Sequence, residues 1–119
     1  MSLFDILLVG HFVGDFLFQT NWMAVNKSKK WSPLFTHCVV YTAVVALFGL
    51  MGGGLSPVGI AVIFVGHVIL DRKTFVSFWV RYIQTARGSD AVWLEIVADQ
   101  IFHILLLALA IYLTAPGGL

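Results

Sequence analysis

Charge is the scarcest property of this chain. Of its 119 residues only 11 % are Asp, Glu, Lys or Arg, against roughly a quarter in an ordinary soluble domain. So few charges cannot clothe a water-facing surface. The apolar share of 60 % excludes a disordered chain, and the lack of a basic surface excludes a nucleic-acid binder. Cysteine occurs once, as Cys38, which excludes a disulfide framework and any thiolate-based zinc or iron–sulfur site. A net charge of +1 points to no partner. What is present in quantity is apolar sequence, with mean hydropathy +0.94. The chain reads as one integral membrane domain over residues 1–119, with the lipid bilayer as its surroundings.

No charged residue occurs from Trp31 to Leu70. That run is too long for one span and suits two. Gly52-Gly53-Gly54 and Ser56-Pro57 mark the turn inside it. Four helices are expected: Leu3 to Met23, Pro33 to Met51, Pro57 to Asp71, and Val92 to Leu113, the last ended by Pro116-Gly117-Gly118. The fold class is therefore an all-α, four-helix membrane bundle. The first helix has no basic leader and carries His11, Asp15 and Gln19 in its middle, so it is expected to be a retained span and not a cleaved signal.

Between the third and fourth helices, Phe75, Phe78, Trp79, Tyr82 and Ile83 recur at helical spacing opposite Lys73, Arg81 and Arg87. This predicts an amphipathic helix over Arg72 to Asp90, lying on the membrane surface as an anchor or as a lid. Lys27, Lys29 and Lys30 fall in the first loop, and Arg72, Lys73, Arg81 and Arg87 in the third. By the positive-inside rule these loops are cytoplasmic and both termini extracytoplasmic, in a cell (inner) membrane. Trp22, Trp31, Trp79 and Trp93 fall near the same ends, as an aromatic belt does.

Ionisable residues inside a span are costly, of order 3 kcal/mol each at its centre. Here each expected helix carries one histidine: His11, His37, His67 and His103. Three of them stand four residues from an aspartate, as His11 with Asp15, His67 with Asp71, and Asp99 with His103. Residues four apart share a helical face. On the two helices running toward the cytoplasm the order is His then Asp, and on the returning one it is Asp then His. Each aspartate is thus nearer the cytoplasm. At about 1.5 Å rise per residue, Asp15, His37, His67 and Asp99 lie roughly 7–12 Å below the helix ends, and His11 and His103 roughly 15–18 Å. Asp71 is expected close to the interface.

A single histidine in a span is ordinarily an interhelical hydrogen-bond partner. Seven such groups in one slab point instead to a metal site with His11, Asp15, His37, His67, Asp71, Asp99 and His103 as its ligand pool. Imidazole and carboxylate without thiolate suit a divalent metal, Zn, Fe or Mn. The pool exceeds the needs of one tetrahedral ion, so two ions, or one ion with an acid and a base to spare, both fit. Haem between facing histidines would leave the aspartates unexplained. Gln19 and Gln100 read as hydrogen-bond partners, Glu95 as a solvated acid, Asp5 as a helix N-terminal charge and Asp90 as a cap. Gly10 and Gly14 form a small-xxx-small pair for close helix approach. Cys38 points away from His37 and reads as packing.

Such a site suits hydrolysis of an amphipathic, lipid-like substrate, with Asp15 or Asp71 as general base and His37 as ligand or proton shuttle. The alternatives are an ion- or proton-coupled transport or relay module, which four short spans could form only as a homo-oligomer, and a cofactor-binding or assembly subunit without turnover. Transport needs polar groups on both sides of the midplane, yet Ala43 to Leu50 and Ile104 to Leu113 are apolar apart from Tyr112.

The opening Gly10-His11-Phe12-Val13-Gly14-Asp15-Phe16-Leu17-Phe18-Gln19-Thr20-Asn21-Trp22 resembles a small bacterial membrane family, domain of unknown function 3307. Lys27, Thr36-His37, Gly66-His67-Val68-Ile69-Leu70-Asp71 and Asp99-Gln100-Ile101-Phe102-His103 extend the resemblance over nearly the whole chain. The family brings no activity with it. In residue type and topology the chain is also loosely similar to membrane-bound metal-dependent hydrolases, an association rather than a derivation.

Overall fold

A computed structural model describes residues 1–114. The described residues are helical, with no strand among them. Helix α1 (Leu3–Phe12) opens on a capping box, in which Asp5 N–H donates to Ser2 Oγ and Ser2 N–H to Asp5 Oδ2, each at 3.1 Å. The expected N-terminal role of Asp5 takes this form.

The single helix expected over Leu3 to Met23 is corrected. After Phe12 the chain widens into a π-helical turn (Val13–Leu17), closed by Phe18 N–H on the Val13 carbonyl. It then breaks. Thr20 starts α2 (Asn21–Asn26) by accepting from Met23 N–H at 3.3 Å. A threonine hydroxyl that satisfies a helix-start N–H competes with helix continuation, and here it wins. Helix α2 then packs against α3 (Trp31–Leu50).

Helix α4 (Pro57–Asp71) starts as expected, with Ser56 accepting from Gly59 N–H at 3.0 Å and Pro57 in the first turn. It stops because Lys73 adopts a left-handed conformation, φ 71°. That residue and Thr85 (φ 56°) bound a segment shorter than the amphipathic helix expected over Arg72 to Asp90. The segment consists of α5 (Thr74–Phe78) and a second π-turn (Trp79–Ile83), with Val76 and Val80 buried against Leu70 and Ala98. Helix α6 (Ser89–Thr114) begins before Val92, so Asp90 lies in its first turn and not at its cap. The expected terminator Pro116-Gly117-Gly118 lies outside the described residues.

The main helices approach closely at glycines. A methyl group on Gly10 would lie 3.0 Å from Phe48 Cβ and one on Gly14 3.1 Å from the Tyr41 ring, which bears out the expected contact face. One on Gly66 would lie 2.4 Å from Leu106 Cδ1, where α4 meets α6. Two apolar clusters form along the bundle. Leu7, Val45, Ile63, Leu107 and Ala110 belong to one, and Leu70, Val76, Val80 and Ala98 to the other. Along α4, His67 falls between Ile63 and Leu70. Along α6, Asp99 and His103 fall between Ala98 and Leu107. A polar layer thus separates two apolar ones.

Candidate metal centre

That layer is buried. His11, His37, His67, His103 and Asp71 are 0 % exposed, and Asp15 and Asp99 are 3 % and 5 % exposed. Asp71 is its hub. Its Oδ2 lies 3.1 Å from His37 Nε2 and 3.0 Å from His67 Nε2, and its Oδ1 lies 3.1 Å from His103 Nε2. Asp71, expected nearer the interface than His67, is in contact with that histidine inside the bundle. Side chains on a helix lean toward its N-terminus. The last residue of α4 accordingly reaches back into the bundle, to the level of His67.

Asp15 closes the arrangement from the π-turn. Its Oδ1 is 3.0 Å from His37 Nε2 and 3.5 Å from His67 Nε2. Two carboxylate oxygens and two imidazole nitrogens thus alternate around a ring, with neighbours 3.0–3.5 Å apart, and all four lie within 4.8 Å of one another. Ligands held about 2.0–2.1 Å from a tetrahedral ion stand about 3.3 Å from each other. The spacing fits one divalent ion. Neither ring nitrogen of His67 makes a hydrogen bond among the described residues, so Nε2, beside its two near oxygens, is available as a ligand. A second group, Asp71, Asp99 and His103, satisfies the same distance condition.

His11, expected among the ligands, stands outside both groups. Its Nδ1 is 2.7 Å from the Tyr41 hydroxyl and its Nε2 is 2.9 Å from Gln100 Oε1. The amide oxygen can only accept, so Nε2 carries the proton and Nδ1 accepts from Tyr41. Gln100 Nε2 in turn donates to Asp15 Oδ2 and Asp99 Oδ2, each at 3.4 Å. Hydrogen bonds on both ring nitrogens leave His11 no free lone pair, and they make it the support behind Gln100. Gln100 is the hydrogen-bond partner its position suggested. Gln19 donates to the Asp15 carbonyl at 3.1 Å. Cys38 is buried and free, outside the ligand groups. Glu95 is half-buried and lines a cavity of about 360 Å³ with Arg81, Arg87 and Ser77.

Lys27 lies in the loop after α2, as expected, but its side chain turns inward. It is 9 % exposed, and its ammonium donates to Asp71 Oδ2 at 2.9 Å. The break before Thr20 makes this reach available. The signal was the Thr20-Asn21 helix start, which separates Lys27 from the first helix. Tyr41 was also missed. Its ring packs 3.8 Å from that of His67, centroid to centroid. Lys73, partly exposed, lies 3.7 Å from Asp99, and Arg72 stacks over the Trp31 ring at 4.3 Å.

Residues 3–117 match the family described as "Protein of unknown function (DUF3307)". The chain belongs to DUF3307. No curated protein and no solved structure matches it. Within this DUF3307 protein the resembling motifs meet at one place: Gly10 to Trp22 supplies Asp15 and His11, Thr36-His37 and Gly66 to Asp71 supply ring members, and Asp99 to His103 supplies the second group.

Proposed function

We propose that this DUF3307 protein is a multi-pass protein of the cell (inner) membrane, one domain of four spans, that holds a divalent metal ion between Asp15, His37, His67 and Asp71. The carrying observation is the alternating ring of two carboxylate oxygens and two imidazole nitrogens, buried and spaced for one ion. Zn, Fe and Mn all suit such ligands. Membrane immersion is supported by inverted polarity. Asp15, Lys27, Asp71 and Asp99 lie inside, whereas Val39, Leu47, Val65, Ile69, Ile101, Leu105 and Leu109 are on the surface. A soluble domain distributes these the other way. Trp31–Leu50 and Ser89–Thr114 are each long and apolar enough to cross a bilayer. Helix α1 with its π-turn, and α4, complete the four spans as shorter elements. Basic residues Lys29, Lys30, Arg72, Lys73, Arg81 and Arg87 all fall in the loops between α2 and α3 or between α4 and α6. Those loops are assigned to the cytoplasm and both termini to the other side.

The chemistry best suited to this centre is hydrolysis of an amphipathic or lipid-like substrate. A bound divalent ion supplies hydroxide near neutral pH by acidifying water. The chain's own residues hold the charges and protons around it. Asp15 and Asp71, either of which could have been a general base, and His37 all serve as ligands in this ring. Lys27 compensates one carboxylate charge from the side of α2, and Gln100, backed by His11, orients Asp15 and Asp99. A transport or relay reading is less well supported. The cluster of Leu7, Val45, Ile63, Leu107 and Ala110 caps the polar layer on one side, so the layer does not continue across the bundle.

Metal analysis of the detergent-purified chain tests this. Wild type is expected to hold at least one equivalent of a divalent metal, and His67→Ala to lose it. A metal-free wild type after metal supplementation would overturn the proposal.

A further inference from the structure

Three buried polar atoms next to the ring share one property. Asp71 Oδ1, Asp99 Oδ1 and His103 Nε2 each lack a hydrogen-bond partner among the described residues. One comes from each member of the second group, in which one ligand atom of each residue lies within 4.8 Å of the others. The side chains are at least nine-tenths buried, so water does not readily satisfy them, and an unmet buried polar group ordinarily costs about 1–3 kcal/mol.

The orientation of His103 makes the point sharper. Its Nδ1 lies 2.6 Å from the Asp99 backbone carbonyl. A carbonyl cannot donate, so Nδ1 carries a proton. In the neutral ring this leaves a lone pair on Nε2, which lies 3.1 Å from Asp71 Oδ1. A bare ring nitrogen and a carboxylate oxygen at that distance repel unless a proton or a metal cation is shared between them. An Nδ1–H donated to a backbone carbonyl is also the arrangement that fixes a metal-binding histidine.

We infer that a second divalent cation binds between Asp71 Oδ1, Asp99 Oδ1 and His103 Nε2, so that Asp71 bridges two ions through its two oxygens. The inference rests on the metal-centre reading above and extends it from one ion to a pair. The second site has two carboxylate oxygens and one imidazole nitrogen, a harder set than the ring. It favours Mn²⁺ or Fe²⁺. Three protein ligands leave coordination positions open, as a catalytic site requires. Two adjacent ions can clamp the attacking and leaving oxygens of one displacement.

Mn²⁺ titration of the metal-depleted full chain in detergent tests the pair, read by bound equivalents and by electron paramagnetic resonance. Wild type is expected to bind two Mn²⁺ per chain, with a spin-coupled spectrum at saturation. Asp99→Asn and His103→Gln are each expected to bind one and to show an uncoupled spectrum. Asp71→Asn, which removes the shared ligand, is expected to lose both. Circular dichroism verifies that each variant keeps its helix content, and either of the first two variants suffices if the other does not fold. A wild type that binds one Mn²⁺, with Asp99→Asn and His103→Gln also binding one, would overturn the second site and leave the first standing. One Mn²⁺ in wild type and none in those variants would show a single mixed site, again contrary to the inference. No Mn²⁺, Fe²⁺ or Zn²⁺ in wild type would overturn the metal centre itself.

Discussion

At the scale of single residues, the ion pair of Lys27 with Asp71 is the most consequential contact outside the ring. Removing one partner of a buried pair typically costs about 3–5 kcal/mol, because the other charge is left uncompensated. Lys27→Met is therefore expected to lower the melting temperature of the metal-free protein. Saturating metal should recover part of the loss, since binding to the folded state alone stabilises it. Melting curves in detergent, with chelator and with added metal, would show this. An equal loss under both conditions would mean that Lys27 acts only through packing. Cys38 offers the contrasting case. It is fully buried next to His37 but outside the ligand groups, so Cys38→Ala should leave metal content unchanged, as elemental analysis can check. Spacing made the histidines and aspartates legible, because a buried ionisable residue four positions from another is conspicuous in apolar sequence. Lys27 was not legible, since it sits beside Lys29 and Lys30 and looks like one more loop charge. The role of His11 was not legible either. Whether an imidazole has a free nitrogen depends on Tyr41 and Gln100, which are distant in sequence.

At the scale of elements, helices α3, α4 and α6 could be read from their uninterrupted apolar runs and from Pro33, Pro57 and the glycine turn. Their ends moved by only a few residues. The α1–α2 break and the short α5 could not be read. Both depend on local competition, between the Thr20 hydroxyl and helix continuation and on the left-handed turn at Lys73, against a hydrophobic pattern that runs straight through. The contact of α4 with α6 allows a specific prediction. A methyl group on Gly66 would come within 2.4 Å of Leu106 Cδ1, so Leu106 must shift. Overpacking of this kind typically costs about 1–3 kcal/mol. Gly66→Ala should lower the melting temperature. Because Gly66 precedes His67, the variant should also weaken metal binding, whereas Leu106→Ala combined with it should restore both. Failure of the double variant to recover would place the effect in the backbone and not in this contact.

At the scale of the whole molecule, the protein is a bundle with polar residues inside and apolar residues outside. Its topology is open to a direct check. Reporter fusions at Leu119 and within the Lys29-Lys30 loop should report the extracytoplasmic and cytoplasmic sides, respectively; a cytoplasmic signal from the Leu119 fusion would reverse the assignment. The loop count rests on six basic residues once Lys27 is assigned to the interior, and its asymmetry is unchanged. The central claim is narrower than topology: the side chains of Asp15, His37, His67 and Asp71 hold one ion, and His11, a histidine buried in the same layer, does not. Metal content of detergent-purified variants, measured beside wild type after identical metal loading, tests it most directly. The account predicts that Asp15→Asn, His37→Gln, His67→Gln and Asp71→Asn each lose the ring-bound equivalent, while His11→Gln, which disturbs only the Tyr41 and Gln100 hydrogen bonds, keeps it. Full metal in the four ring variants, or its loss from His11→Gln alone, would contradict the account.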